Sequence, residues 1–318
     1  MEDLIIHFDE YVKKFRNHKI GPLSFGIKKG QFTAILGSSG SGKSVIINTI
    51  IGAIKTFHGK VTVNGFSKKS GKHFYGNKDI SLYTQLDFSL FEMSAVPYLK
   101  QMCLIMGIPK KEIKAKIDYW LKYFDLWKDK TKKLKEYSWG MQNRLSLILC
   151  LIKEADVLVL DEPAANLDSF WRNKVRNLLI DYKNAGKTVI MTSHNIDEVN
   201  DLIDYYIVVE AGKLLFTGSK LQLDMYSKYK VFFSDEINLP KLKAFLKEKG
   251  LKTFKYDEFE NSLVIATNTS KEINWVFLYS LKETAPILNL VKLPVNIESI
   301  YKALEANAKN NDIIKNLV

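Results

Sequence analysis

Eight consecutive residues near the N-terminus read G-S-S-G-S-G-K-S and match the phosphate-binding pattern G-x-x-x-x-G-K-[ST] in full. Glycines in such a loop let backbone N–H groups turn inward around phosphate oxygens, and the helix that follows points its positive end at them. Lys43 is expected to reach the β- and γ-phosphates, and Ser44 to bind Mg²⁺. The sequence therefore predicts a nucleoside triphosphate site at Gly37, Ser38, Ser39, Gly40, Ser41, Gly42, Lys43 and Ser44.

The segments beside this loop have the order that the motif needs. Residues 32–36 are apolar and lie between Gly30 and Gly37, which predicts a short buried strand. Residues 45–50 then place apolar side chains at helical spacing. The sequence thus predicts a strand, the phosphate-binding loop and a helix, in that order along the chain.

Two further strands are predicted to end beside the phosphates. Residues 156–160 form a buried strand followed by two carboxylates, and residues 188–193 form another that a histidine follows. Ligands of open α/β sheets lie beyond the carboxyl ends of the strands. We therefore expect Asp161 to hold Mg²⁺, Glu162 to orient or deprotonate the attacking water, and His194 to donate to the γ-phosphate.

With this loop, these carboxylates and this histidine in order, the chain resembles the ATPase subunit of ABC transporters over about the first 220 residues. Gln85 looks like the family's Q-loop residue, which touches Mg²⁺ and relays the nucleotide state to a membrane partner. Residues 137–145 look like the signature motif, Asp168 like part of the D-loop, and His194 like the switch histidine. Phe15 is placed like the aromatic residue that stacks on adenine, with an ordinary core phenylalanine as the competing interpretation.

The resemblance implies that ATP is bound between two such subunits, in a homodimer or a heterodimer. Ser138 and Gly140 of one copy would bind the γ-phosphate held by the other copy, so that ATP closes the dimer and hydrolysis releases it. Trp139 stands where the family has its first signature glycine. We expect this bulky residue to obstruct close approach and to slow turnover; the alternative is a heterodimer with one weak site.

The predicted fold class is α/β, with a RecA-like P-loop NTPase core, an antiparallel β subdomain, a helical insert and a small α+β C-terminal domain. The ATPase domain is expected at residues 1–220, with the insert at about 89–150. Residues 221–318 read β-α-β-β-α-β followed by a helix at 297–306, an order compatible with a ferredoxin-like accessory domain.

The family resemblance also implies an integral membrane permease as partner, docked in a groove between the helical insert and the Q-loop of Gln85. Candidate lining residues, which would otherwise pack the insert, are Phe88, Leu90, Phe91, Met93 and Tyr98. Residues 294–301 and the Tyr-Ser-x-Gly-Met signature are similar to exporter subunits and favour export.

Composition narrows the alternatives. No stretch of 18 apolar residues occurs, and the acidic start lacks a secretory signal, so we expect a cytoplasmic protein at the inner face of the membrane. The net charge of +12 comes from 43 lysines against 4 arginines, which does not indicate a nucleic-acid partner. Cys103 and Cys150 are expected to be core thiols.

Two other function classes fit the sequence less well. A cytosolic ABC ATPase acting on ribosomes or nucleic acid would use the basic charge, but such families usually have two cassettes, long coiled-coil arms or zinc cysteines. A P-loop kinase or other small-molecule enzyme would not need residues 138–142.

Overall fold

The computed structural model describes residues 4–163, 167–193, 201–224, 228–251, 254–267, 272–283 and 285–293. The chain divides into two compact units, Met1–Thr217 and Gly218–Val318. In chain order the elements begin with β1 (Leu4–Lys14), β2 (Lys19–Lys28), β3 (Phe32–Leu36), α1 (Lys43–Ile50), β4 (His58–Val63), β5 (Phe66–Ser67), β6 (Ile80–Tyr83), α2 (Ala95–Ile105), α3 (Lys110–Tyr123) and α4 (Trp139–Leu151). They continue with β7 (Val157–Asp161), α5 (Ser169–Asn184), β8 (Thr188–Ser193), β9 (Tyr205–Glu210), β10 (Lys213–Ser219), α6 (Lys220–Asp224), β11 (Lys228–Phe233), α7 (Leu239–Glu248), β12 (Phe254–Asp257), β13 (Ser262–Ala266), α8 (Ile273–Lys282) and β14 (Ile287–Lys292).

A six-stranded sheet with the order β10-β9-β3-β8-β7-β6 forms the centre of the first unit. The pairs β3–β8, β3–β9, β7–β8 and β6–β7 are all parallel. All five residues of β3 are buried, as the apolar run predicts. Because parallel strands end at the same edge, the segments that follow β3, β6 and β7 meet there, beside the carboxyl end of β8.

A second, antiparallel sheet with the order β2-β1-β4-β5 covers the helix that follows the phosphate-binding loop. Phe8 stacks on Phe25 with ring centroids 4.6 Å apart. Both side chains belong to one buried cluster with Ile46 and Ile50 of α1. The apolar patterns at residues 4–8, 23–27 and 60–65 predict three strands of this subdomain; all three are confirmed, and β1 and β2 are longer than those patterns indicate.

The helical insert consists of α2, α3 and α4. Apolar residues at helical spacing predict a helix at residues 110–124. The structure confirms it as Lys110–Tyr123, with Ile113, Ile117, Trp120 and Leu121 buried. Cys103 on α2 and Cys150 on α4 are buried free thiols, as predicted. No helix in the described residues is long and apolar enough to cross a membrane.

The second unit is an α+β fold with a four-stranded antiparallel sheet in the order β12-β13-β11-β14. Helices α7 and α8 contribute Leu242, Leu246, Val276 and Tyr279 to its core, which also contains Val231, Leu263 and Ile265. The element order is the predicted β-α-β-β-α-β. The helix predicted at residues 297–306 lies outside the described residues.

Candidate nucleotide-binding site

The phosphate-binding loop is a tight turn between β3 and α1, held closely against β9. A Cβ atom on Gly37 would lie 2.2 Å from the Val209 carbonyl oxygen and 2.3 Å from Ser41 Oγ, so only glycine fits there. Gly40 and Gly42 have φ angles of 77° and 116°, which L-residues with side chains rarely adopt. The backbone path of this loop therefore depends on its glycines.

Lys43 begins α1 and turns its ammonium back toward the loop. Its Nζ donates to the carbonyl oxygens of Gly37 and Ser38, at 2.9 Å each. Burial lowers the pKa of Lys43, while the negative charges of Glu162, Asp161 and Glu210 oppose that shift. A buried cation that donates to carbonyl oxygens and lies near carboxylates is suited to bind a phosphate anion.

Asp161 and Glu162 are connected through a buried hydroxyl on the neighbouring strand. Asp161 ends β7 and pairs in register with Thr192 of β8. Thr192 Oγ1 donates to Asp161 Oδ1 at 2.6 Å and accepts from the Glu162 backbone N–H at 3.1 Å. This hydroxyl fixes the orientation of the first carboxylate and the start of the turn that presents the second.

Glu162 adopts a left-handed backbone conformation with φ of 53°. Such a conformation costs a non-glycine residue about 1–2 kcal/mol, and strained backbone of this kind clusters at functional sites. The turn leaves the strand direction directly after Asp161. As a result, Glu162 lines the same cleft as Lys43 and Ser44.

Sequence reasoning missed Thr192 and Glu210 as supporting residues. The Glu210 carboxylate accepts from the Ser38 hydroxyl at 2.7 Å and from the Ser38 backbone N–H at 3.1 Å. Thr192 could have been noticed only from its position, two residues before His194. Glu210 ends β9, a strand that was not predicted from the sequence.

The hairpin between β1 and β2 closes one side of the site. His18 and Ile20 line a cleft of about 250 Å³ with Ser39, Gly40, Gly42, Lys43, Ser44, Val45 and Glu162. Phe15 stacks on His18 with ring centroids 4.4 Å apart and planes 10° apart. Phe15 is 36% exposed, so the interpretation as a core phenylalanine is wrong.

The signature segment forms the N-terminus of α4. Ser138 is the N-cap residue, and its hydroxyl accepts from the Met141 backbone N–H at 3.3 Å. Trp139 is exposed, and a Cβ on Gly140 would meet no atom within 4 Å. Arg144 anchors the segment by donating to the Phe124 carbonyl at 2.9 Å. Ser138 and Gly140 thus lie on an open surface.

The remaining predicted residues lie at the same sheet edge or outside the described part. Gln85 follows β6 and is partly buried. Asp168 caps α5, and its Oδ1 accepts from the Trp171 backbone N–H at 3.0 Å. His194 lies outside the described residues, as do the first residues of the predicted D-loop.

The residues present fit a bound nucleotide and Mg²⁺. Within the described part of the chain, the Ser41 hydroxyl in the loop is buried without a hydrogen-bond partner, as expected of a group that binds a ligand. The loop offers backbone donors and a lysine for phosphate. Ser44 and Asp161 supply the hard oxygen ligands that Mg²⁺ prefers.

A separate cleft of about 1190 Å³ lies in the helical insert, between α2, α3 and residues 127–131. Trp127 forms part of its wall and lies 3.3 Å below the Lys130 ammonium. The other lining residues are apolar Val96, Pro97, Leu104, Ile113 and Ile117, the lysines Lys100, Lys110 and Lys114, and Ser94, Asp118 and Thr131. The cleft is therefore apolar inside and basic at its rim.

Residues 20–165 match the sequence model of the ABC transporter family. An uncharacterized ABC transporter ATP-binding protein of Methanocaldococcus jannaschii is 28% identical over 79% of this chain and 94% of its own length. An energy-coupling factor transporter ATP-binding protein of Clostridium perfringens is 28% identical over 85% of this chain and 96% of its own length. The human cholesterol transporter ABCA5 is 32% identical over 67% of this chain and only 13% of its own length.

Solved structures give the same fold. The ADP conformation of an ATP-binding cassette of an ABC transporter is 25% identical, with a TM-score of 0.57 over 68% of this chain and 91% of that one. A Clostridium perfringens protein described as part of an ABC transporter complex is 24% identical, with a TM-score of 0.58 over 77% of this chain and all of that one. These likenesses confirm the predicted α/β cassette fold.

Proposed function

Because this chain carries an ABC transporter ATP-binding domain, we propose that it hydrolyses ATP between paired subunits to drive a separate membrane permease. The observation that carries the proposal is the convergence of Lys43, Ser44 and Glu162 on one cleft, with Asp161 held beside them by Thr192. This convergence supports a site in which phosphate-binding and water-activating groups lie at one sheet edge.

Each residue has a separate task in the proposed reaction. Lys43 binds the β- and γ-phosphates, and Ser44, Asp161 and Gln85 hold Mg²⁺. The bound Mg²⁺ would neutralise charge on the phosphate oxygens. Glu162 orients the attacking water and accepts its proton, and His194 donates to the γ-phosphate. Phe15 stacks on adenine at the open side of the cleft.

The second half of the site is proposed to come from another ATPase subunit, identical or different. The exposed N-terminus of α4, with Ser138 and Gly140, is suited to contact a phosphate held by that subunit. Asp168 lies at the start of α5 and would contribute on the same side. Such a dimer is closed by ATP and opened by hydrolysis.

The permease is proposed to dock in the cleft of the helical insert. Its apolar walls and basic rim fit a short amphipathic segment that carries acidic side chains. The residues predicted to line a groove after Gln85 differ in exposure. Phe88 is buried against Tyr98, whereas Leu90 and Phe91 are exposed. None of these residues lines that cleft, so the groove beside Gln85 predicted from the sequence is a separate candidate surface, in which Phe88 packs against Phe91.

Export and a cytoplasmic location at the membrane complete the proposal. The Tyr-Ser-x-Gly-Met signature at residues 137–141 supports export. The accessory role of the second unit, proposed as a ferredoxin-like domain, is supported by its element order and antiparallel sheet.

The test uses the full chain with Glu162→Gln and a matched exposed control, Glu258→Gln. We expect Glu162→Gln to bind ATP, lose at least about 100-fold in turnover, and accumulate as a dimer in light scattering, because the general base is gone while phosphate binding remains. Glu258→Gln should behave as wild type.

Ser138→Arg tests the dimer separately. It should retain ATP binding but lose turnover and the ATP-dependent dimer, because a bulky side chain replaces the hydroxyl at the exposed helix start. Normal hydrolysis by Glu162→Gln would contradict the catalytic assignment, and normal hydrolysis by Ser138→Arg would contradict the paired site.

A further inference from the structure

The basic charge of this chain is unevenly distributed. Between Glu10 and Asp79 the sequence has thirteen lysines and arginines and no carboxylate side chain. Part of this segment, residues 66–78, forms a surface loop that contains β5 and a 3₁₀ helix, His73–Asn77. Nothing in the proposed ATPase chemistry uses this loop.

Aromatic and basic side chains share the surface of the loop. We name Phe66, Lys69, Lys72, Phe74, Tyr75 and Lys78 the basic–aromatic patch; all six are exposed. The ring centroids of Phe74 and Tyr75 lie 4.2 Å apart, and those of Phe66 and Tyr75 lie 5.9 Å apart. Phe74 is 56% exposed and Tyr75 is 51% exposed, so these apolar rings form a continuous exposed cluster.

The 3₁₀ helix aligns the charges with the rings. The Tyr75 N–H donates to the Lys72 carbonyl and the Lys78 N–H donates to the Tyr75 carbonyl, at 3.1 and 3.2 Å. Side chains three residues apart eclipse one another in a 3₁₀ helix. The spacing therefore places Lys72, Tyr75 and Lys78 in succession along one face of the helix.

The loop is anchored from below, so the patch is ordered before it binds anything. Asn77 Nδ2 donates to the Ile51 carbonyl at the end of α1, at 2.6 Å. The buried Lys68 ammonium donates to Asn77 Oδ1. Lys153 also donates to the Lys78 carbonyl at 2.5 Å. A pre-ordered surface loses little conformational entropy on binding.

We propose that the basic–aromatic patch binds an anionic phospholipid surface. Phenylalanine and tyrosine rings insert favourably at the boundary between headgroups and acyl chains, while lysines are attracted to acidic headgroups. The patch contains lysine and no arginine. Lysine suits a diffuse layer of charge, whereas specific phosphate recognition in nucleic acids and phosphopeptides favours the arginine fork. The choice of a lipid partner rests in part on the proposed function at a membrane.

The test measures co-sedimentation of the full chain with phosphatidylcholine vesicles that contain or lack phosphatidylserine. Each lysine near an acidic surface contributes about fivefold to partitioning, so Lys72→Gln/Lys78→Gln should lower binding to anionic vesicles by roughly 25-fold. The matched control, Lys243→Gln/Lys247→Gln, removes the same charge from exposed positions of α7 and should bind as wild type.

A second variant, Phe74→Ser/Tyr75→Ser, tests the rings and should also weaken vesicle binding. Both patch variants should retain ATP binding and thermal stability, which separates failure of this proposal from failure of the ATPase proposal. Equal binding to neutral and anionic vesicles, or equal loss in the α7 control, would overturn the proposal. It would also be overturned if the patch variants lost binding to a single-stranded DNA oligonucleotide but kept vesicle binding.

Discussion

Replacing Thr192 with valine tests whether its hydroxyl positions Asp161 and Glu162. Valine has nearly the same shape as threonine, so the substitution removes the hydroxyl without opening a cavity. Thr192 is fully buried, and its hydroxyl binds both Asp161 and the Glu162 backbone N–H. Both groups lose this partner at once in Thr192→Val.

The structure sets the size of the effect. A hydrogen bond to a charged group contributes about 1.5–3 kcal/mol, and an N–H left without a partner costs about 1–3 kcal/mol. We therefore expect the free energy of unfolding to fall by roughly 3–5 kcal/mol. For a domain of this size, that loss corresponds to a decrease in melting temperature of about 10 °C.

The matched control is Thr192→Ser, which keeps the hydroxyl and loses one methyl group, at about 1 kcal/mol. Thermal unfolding of the full chain compares the two variants, and the Mg²⁺ concentration for half-maximal ATP hydrolysis measures the effect on Asp161. We expect Thr192→Val to need more Mg²⁺ and Thr192→Ser to resemble wild type. Equal melting temperatures of the two variants would refute the supporting role.

Two other substitutions test a site residue and a buried charge. Trp139→Gly should raise ATP turnover if the indole obstructs the approach of the second subunit, and unchanged turnover at saturating ATP would contradict the obstruction. Burial lowers the pKa of Lys68 to about 8, so between pH 8 and its ordinary value near 10.5 the unfolded chain binds the extra proton and stability rises with pH. In urea unfolding, the free energy of unfolding of Lys68→Met minus that of wild type should therefore fall by about 3 kcal/mol from pH 7 to pH 10.5. A difference that does not change with pH would exclude a buried charge at Lys68.

The sequence predicted the elements of the first unit because their signals are local. The phosphate loop needs glycines at fixed positions, and the apolar runs before Gly37 and Asp161 are short and bounded, so strand, loop and helix could be placed from the sequence. The helical stripe of α3 was equally clear. The ends of β1 and β2 were missed because polar residues extend both strands beyond their apolar centres.

The roles of Ser138, Gly140, Gln85, Asp168 and His194 stay predictions. They follow from resemblance, and the chemistry proposed for Ser138 and Gly140 requires a second subunit. The exposure of Phe15, unlike these roles, is given directly by the structure. A phenylalanine near a strand end has the same sequence signal whether it is buried or exposed, so only the structure excluded the core.

By itself, the sequence determined that this chain folds as an α/β nucleotide-binding cassette with a second α+β unit, because glycine spacing and apolar periodicity act over a few residues. The tertiary structure decided which distant groups meet: Thr192 beside Asp161, Glu210 on Ser38, and the rings of Phe66 and Tyr75. These contacts depend on strand order and loop packing. Contacts between residues many positions apart leave no local pattern in the sequence from which they could be predicted.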